Sequence, residues 1–170
     1  LPAKLVSDDA PMYDRPSAPP SNLEELWKMP QLNDGSEKER LLALLERPTI
    51  ASKRWAYEQY DSSVRCGTVV GPGAADAAVI RMPDSTMAPS DRSKKGIAMS
   101  ADMNGRYCRL DPHRGAALGV VEAARNLACV GSRAMATTDC LNFGNPEKPD
   151  VMWSFKEAVA GLGAACTALE

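Results

Sequence analysis

With 170 residues the chain is long enough for one ordinary domain, alone or with a linker, and too short for two full ones. Twenty Lys and Arg against 22 Asp and Glu leave a formal charge of -2, which lacks the basic excess of a phosphate-backbone binder and argues against a nucleic-acid partner. No run of about 18 apolar residues occurs and the start shows no basic-then-apolar signal pattern, so neither a membrane span nor a secretory leader is expected.

Residues 1–20 carry Pro2, Pro11, Pro16, Pro19 and Pro20 among charged residues, a composition that resists helix and strand and reads as a connector. Ser21 and Glu24 form an S-x-x-E capping box, and Leu23, Leu26 and Trp27 share a helical face before Pro30. Over residues 37–46, Leu41, Leu42, Leu44 and Leu45 predict a second amphipathic helix, stopped by Pro48. Residues 21–60 are therefore expected to be a small helical linker.

From Val64 the pattern changes: Val64, Cys66, Thr68 and Val70 alternate in a strand-like run that ends at the turn Gly71-Pro72-Gly73. Residues 77–82 and 96–100 read as further strands, separated by a polar, proline-containing loop over residues 83–95. Between Arg114 and Val130, the residues Ala117, Val120, Val121, Ala124, Leu127 and Ala128 recur at helical steps, with Gly131 as the stop. The small side chains of that stripe predict close packing of the helix on a sheet. Residues 134–137 read as a short strand leading into Asp139, and a loop follows over residues 142–146. A last helix begins near Asp150, with Met152, Phe155, Val159, Leu162, Cys166 and Leu169 as its apolar stripe.

The five cysteines, Cys66, Cys108, Cys129, Cys140 and Cys166, are scattered, odd in number and never spaced C-x-x-C, so disulfide and zinc frameworks both fail. They read as small hydrophobes of a reducing cytoplasm. Cys140 has no histidine near it in sequence to make it a nucleophile. The sole histidine, His113, sits at a helix entrance without an identifiable orienting partner. Gly71-Pro72-Gly73 lacks the lysine and following helix of a phosphate cradle. The informative stretch is Thr138-Asp139-Cys140-Leu141-Asn142-Phe143-Gly144-Asn145-Pro146-Glu147-Lys148-Pro149. A carboxylate after a strand, with the amides of Asn142 and Asn145 nearby, suits hydrogen bonding to a nucleotide's amino or hydroxyl groups; Asp139 and Asn142 closing their own turn is the competing reading.

That stretch, together with Tyr60-Asp61, Val64-Arg65, Thr68-Val69-Val70, Pro72-Gly73, Asp76-Ala77-Ala78, Asn104-Gly105-Arg106-Tyr107, Leu110-Asp111-Pro112 and Glu122-Ala123-Ala124-Arg125-Asn126, closely resembles the second half of the phosphoribosylformylglycinamidine synthase family, small bacterial form. Related aminoimidazole ribonucleotide and selenophosphate synthetases fit the Asp139 run less well. Pro2-Ala3-Lys4 and Tyr13-Asp14-Arg15-Pro16 resemble the exit of the preceding domain. The resemblance implies an α/β (α+β) fold: a ferredoxin-like, AIR-synthase-type N-terminal subdomain over residues 61–170, preceded by the linker over 21–60 and the connector over 1–20. It implies a barrel shared between two such subdomains, with nucleotide sites at their seam.

The resemblance further implies an ATP- and magnesium-dependent ligase of purine biosynthesis, in which ammonia from glutamine displaces phosphate from an activated formamide. The T-D-x-L-N-F-G match gives Asp139 the role of ATP contact. Asp102 and Asn104 would flank an auxiliary, structural nucleotide site, and Asn126 stands where the first half has a magnesium-binding Asp, which argues against a metal there. No catalytic residue is expected in this chain, since the family's histidines and ATP lysine belong to the first half. The implied partners are the remaining domains of the same enzyme, a glutaminase subunit and a small accessory subunit. Leu169-Glu170 reads either as native sequence or as an appended end. A non-catalytic scaffold that forms the barrel and a structural nucleotide site is the alternative, and self-association through the exposed seam is expected of the chain alone.

Overall fold

The computed structural model describes residues 2–8, 10–31, 35–82 and 95–170. Most of the loop expected over residues 83–95 thus lies outside the described residues. The chain divides into two units, one of Leu1–Trp27, Asn104–Leu118 and Thr138–Glu170, the other of Lys28–Met103 and Gly119–Thr137. The described residues form helices and one small antiparallel sheet, as expected of an AIR-synthase-type α/β chain. No helix is long and apolar enough among the described residues to cross a membrane.

In the first unit, α1 (Ala3–Asp8) corrects the expectation that residues 1–20 avoid helix: Pro2 precedes it, and its carbonyl accepts from Leu5 and Val6. Proline is tolerated at a helix start, and the following turn is free of it. Helix α2 (Leu23–Leu26) has Asn22, not Ser21, at its N-cap and no side-chain cap, so the Ser21–Glu24 box does not form. The Trp27 indole that ends it donates to the Leu110 carbonyl at 2.6 Å.

Helix α5 (Gly105–Leu110), which the apolar pattern did not signal, is capped by Asn104, whose side-chain oxygen accepts from the Arg106 and Tyr107 N–H groups. Asp111 then caps α6 (Pro112–Cys129), accepting from Arg114 N–H at 3.0 Å with Pro112 at the first helical position. Helix α7 (Pro149–Ala168) likewise begins on a proline. Its buried residues are Ala158, Gly161 and Ala165 rather than the larger stripe of Phe155, Val159 and Leu162. The backbone of Gly161 lies against that of His113 in α6, an approach that only a residue without Cβ permits.

In the second unit, the helix over residues 37–46 appears as α3 (Glu37–Leu45), opened by a Ser36–Glu39 capping box. Ser36 N–H and Oγ both donate to the Glu39 carboxylate at 2.9 Å, while Glu39 N–H donates back to Ser36 Oγ. These donors hold the Glu39 carboxyl below its ordinary range, first through the Ser36 backbone and then its side chain. The cap is therefore intact above ordinary carboxylate pKa values and is lost as pH falls through the lowered one. Helix α4 (Arg54–Tyr57) follows.

The expected strand over residues 64–70 is shortened. Arg65 and Cys66 take left-handed conformations, φ 60 and 51, in a single 3-10 turn, and an extended ladder cannot run through them. Pairing starts at β1 (Thr68–Val70) and continues through β2 (Ala78–Arg81) to β3 (Gly96–Met99), all antiparallel in the order β1-β2-β3. Gly71-Pro72-Gly73-Ala74 is a turn with Pro second and Gly73 third at φ 72, closed by Ala74 N–H donating to the Gly71 carbonyl. The register pairs Ile80 with Ile97 and Ala78 with Met99, which puts these four side chains on one face. That face is open: Ile80, Ile97 and Met99 are 41%, 50% and 49% exposed.

Beyond β3, the second-unit part of α6 lies beside residues 100–103: Ser100 Oγ donates to the Ala123 carbonyl, and a Cβ on Gly119 would stand 3.4 Å from the Asp102 carbonyl oxygen. Helix α6 closes with Gly131 at φ 79, where Ser132 N–H reaches the Leu127 carbonyl and Gly131 N–H that of Ala128. Residues 134–137 form no strand; a strand needs a partner edge, and they pair with none among the described residues.

Candidate functional site

The Asp139 stretch lies in the first unit as an exposed loop that ends on the N-terminus of α7. Most of its polar side chains serve the loop itself. Asn142 Nδ2 donates to the Cys140 carbonyl at 2.9 Å, which closes the turn after Asp139. Asn145 Oδ1 accepts from Glu147 N–H at 2.9 Å, and the Asn145 carbonyl accepts from Lys148 N–H at 3.1 Å. The two amides that the sequence offered as ligand donors are thus engaged in shaping turns.

Asp139 differs from its neighbours. Its carboxylate is exposed and forms no hydrogen bond or ion pair among the described residues. Acceptor sites that the fold does not use are what a nucleotide's amino or hydroxyl groups require, so the residue fits that ligand.

Contacts invisible in the sequence hold the loop in place. The Phe143 ring meets Phe155 of α7 edge to face, with centroids 5.3 Å apart and planes at 77°. A Cβ on Gly144 would stand 3.7 Å from both Val151 methyls. At the far end Arg15 pairs with Glu147 at 3.6 Å, and Ala18 N–H donates to the Pro149 carbonyl at 3.1 Å. The connector therefore runs along the base of the loop, a role that only opposite charges far apart in sequence hinted at.

Asp102 belongs to the second unit. Its Oδ1 accepts from Asn126 Nδ2 at 2.8 Å, whereas Oδ2 is buried without a partner among the described residues. A buried carboxylate oxygen left unpaired is costly unless a ligand or ion supplies a donor. Asn104, in the first unit, has its side-chain oxygen committed to the α5 cap. For magnesium the residues do not suffice: no three His, Cys, Asp or Glu side chains gather to hold an ion among the described residues, and a magnesium ion needs octahedral oxygen ligation.

Burial pushes the Cys108 thiol up, away from the reactive thiolate. Cys140 is exposed and its sulfur accepts from Asn142. Asp61 accepts from the Ser63 N–H and hydroxyl, which lowers its carboxyl and fixes a local turn.

Residues 74–170 match the family described as AIR synthase related protein, N-terminal domain. The chain is 49% identical to the phosphoribosylformylglycinamidine synthase subunit PurL of Moorella thermoacetica over 174 residues, 99% of this chain and 22% of that protein. It is 49% identical to the protein of the same name from Synechococcus elongatus, covering 98% of this chain and 23% of the relative. The Anaeromyxobacter sp. protein of that name is 50% identical over 99% of the chain and 22% of its own length. The chain thus spans between a fifth and a quarter of the relatives it resembles. With more than half of its residues matched, the chain belongs to the AIR synthase related proteins, through their N-terminal domain.

Proposed function

We propose that the chain is a segment of a phosphoribosylformylglycinamidine synthase, a cytoplasmic ligase that uses ATP and glutamine-derived ammonia to convert formylglycinamide ribonucleotide to the amidine. In this reading Asp139 accepts a hydrogen bond from ATP. The open Asp139 carboxylate, in a loop whose asparagines are otherwise engaged, is the observation that carries it. Activation of the formamide oxygen by phosphoryl transfer, followed by displacement of phosphate by ammonia, demands accurate placement of the nucleotide more than covalent help from the protein. Magnesium would neutralise the phosphates, held by ligands outside this chain. Asp102, with one buried oxygen unpaired among the described residues, suits the auxiliary nucleotide site. Replacing Asp139 by Ala in the full-length enzyme should raise the ATP KM about tenfold or more, since a hydrogen bond to a charged group is worth roughly 1.5–3 kcal/mol. An unchanged KM would favour the scaffold reading, in which Asp139 only borders a turn.

The scaffold reading has its own support in the open sheet face of Ala78, Ile80, Ile97 and Met99. An apolar face of this kind is covered in the working protein, and the natural cover is the partner subdomain of the same enzyme, with the glutaminase and small accessory subunits docking elsewhere. Without that partner, the isolated chain is expected to self-associate, most simply as a two-fold dimer through this face. Light scattering behind size exclusion at micromolar concentration should report a dimer mass, and Ile97→Lys should return it to monomer. A clean monomer peak for the unsubstituted chain overturns this expectation.

A further inference from the structure

We propose that Phe155 is a positioning residue for the nucleotide: through its ring contact with Phe143 it fixes the backbone that presents the Asp139 carboxylate. The inference rests on the assignment of Asp139 to ATP and extends it to Phe155, which lies outside the Asp139 motif.

The geometry has three links. Asn142 Nδ2 bonds to the Cys140 carbonyl at 2.9 Å, so residues 140–142 form a closed turn rather than a free hinge. The next residue, Phe143, is anchored on α7 by the edge-to-face contact with Phe155, at 5.3 Å and 77°. Phe155 itself stands on a 20-residue helix whose Gly161 is packed against the α6 backbone, so its base is rigid. Asp139 is therefore tied to α7 by one aromatic contact and a short closed turn, while its own side chain makes no bond that would hold it among the described residues. A carboxylate so placed depends on its backbone for orientation.

Edge-to-face pairs contribute beyond the area they bury, and the contribution is lost when either ring becomes aliphatic. A loop released from α7 samples conformations in which Asp139 points away from the nucleotide. Apparent affinity then falls by the fraction of loop that stays competent, while the rate at saturation is preserved. The signature of positioning is a raised KM for ATP with kcat nearly unchanged.

The test uses the full-length synthase and ATP itself. Phe155→Leu is expected to raise the ATP KM about 3- to 10-fold with kcat within about twofold of the parent. Phe155→Tyr, which keeps the ring, should restore the parent KM. Phe143→Leu makes the same cut from the loop side at a ring already 38% exposed, so it serves if the Phe155 variant does not fold. In an Asp139→Ala background the Phe155→Leu effect on KM should vanish, because no acceptor is left to position. If Asp139→Ala raises KM while both leucine variants leave it unchanged, or if the effects of Asp139→Ala and Phe155→Leu simply add, the positioning role is overturned and the ATP assignment stands. If Asp139→Ala itself leaves KM unchanged, both fall.

Discussion

Given ATP, formylglycinamide ribonucleotide and ammonium, this 170-residue chain by itself is expected to produce no amidine above a buffer blank. It spans between a fifth and a quarter of the synthase subunits it resembles, and no cluster able to hold a metal ion occurs among its described residues. Phosphoryl transfer gains nearly all of its rate from positioning and from neutralising phosphate charge. Correct placement of two reactants accounts for roughly 7–11 kcal/mol of a barrier, and removal of a single charge-stabilising donor costs about 10²- to 10³-fold. A chain whose proposed ATP contact is Asp139 alone is expected to supply neither. The measurement is phosphate release and product formation at millimolar ATP, beside the full-length enzyme as positive control. Turnover above the buffer blank would overturn the assignment of the chemistry to the rest of the protein.

Gly161→Ala should be the most damaging single methyl in the first unit. A Cβ at that position falls 2.8 Å from the His113 carbonyl carbon and 2.9 Å from its Cα, inside any real contact distance. The obstacle is backbone of another helix, so no rotamer change relieves it, and α7 must move off α6. Overpacking of this kind costs about 1–3 kcal/mol. At roughly 2–4 °C per kcal/mol for a chain of this size, the melting midpoint should fall by about 3–10 °C. Gly163→Ala is the internal control: its Cβ meets nothing within 4 Å, so the same substitution two residues along should be neutral or stabilising by about 0.5–1 kcal/mol. Equal effects at both positions would show that helix propensity, and not the approach to His113, controls the result.

Chain-local features were largely legible. Gly131 is a helix stop and Gly71-Pro72-Gly73 a turn, each where its sequence placed it, while Pro112 and Pro149 open their helices slightly ahead of the apolar pattern. Asp139 became legible only through resemblance: its residue type alone did not separate a ligand contact from a turn carboxylate, and its freedom from loop bonding emerged with the coordinates. The errors were also local in origin. S-x-x-E occurs at both Ser21 and Ser36, and only the second is a working cap. Alternation over residues 64–70 concealed two left-handed residues, and β propensity over residues 134–137 found no edge to join.

The sequence by itself determined where most helices begin and end, that the chain is α/β, and which family it belongs to, because caps, prolines, glycines and a twelve-residue motif act within a few residues of themselves. Tertiary structure alone decided that Phe143 rests on Phe155, that Arg15 reaches Glu147, that Asp102 keeps one oxygen unpaired among the described residues, and that the α7 seam runs through Ala158, Gly161 and Ala165 instead of its larger side chains. Each of these depends on which surfaces meet once long loops have closed. Helical periodicity marks an apolar face, but how closely two helices approach is set by the smallest side chains at their crossing.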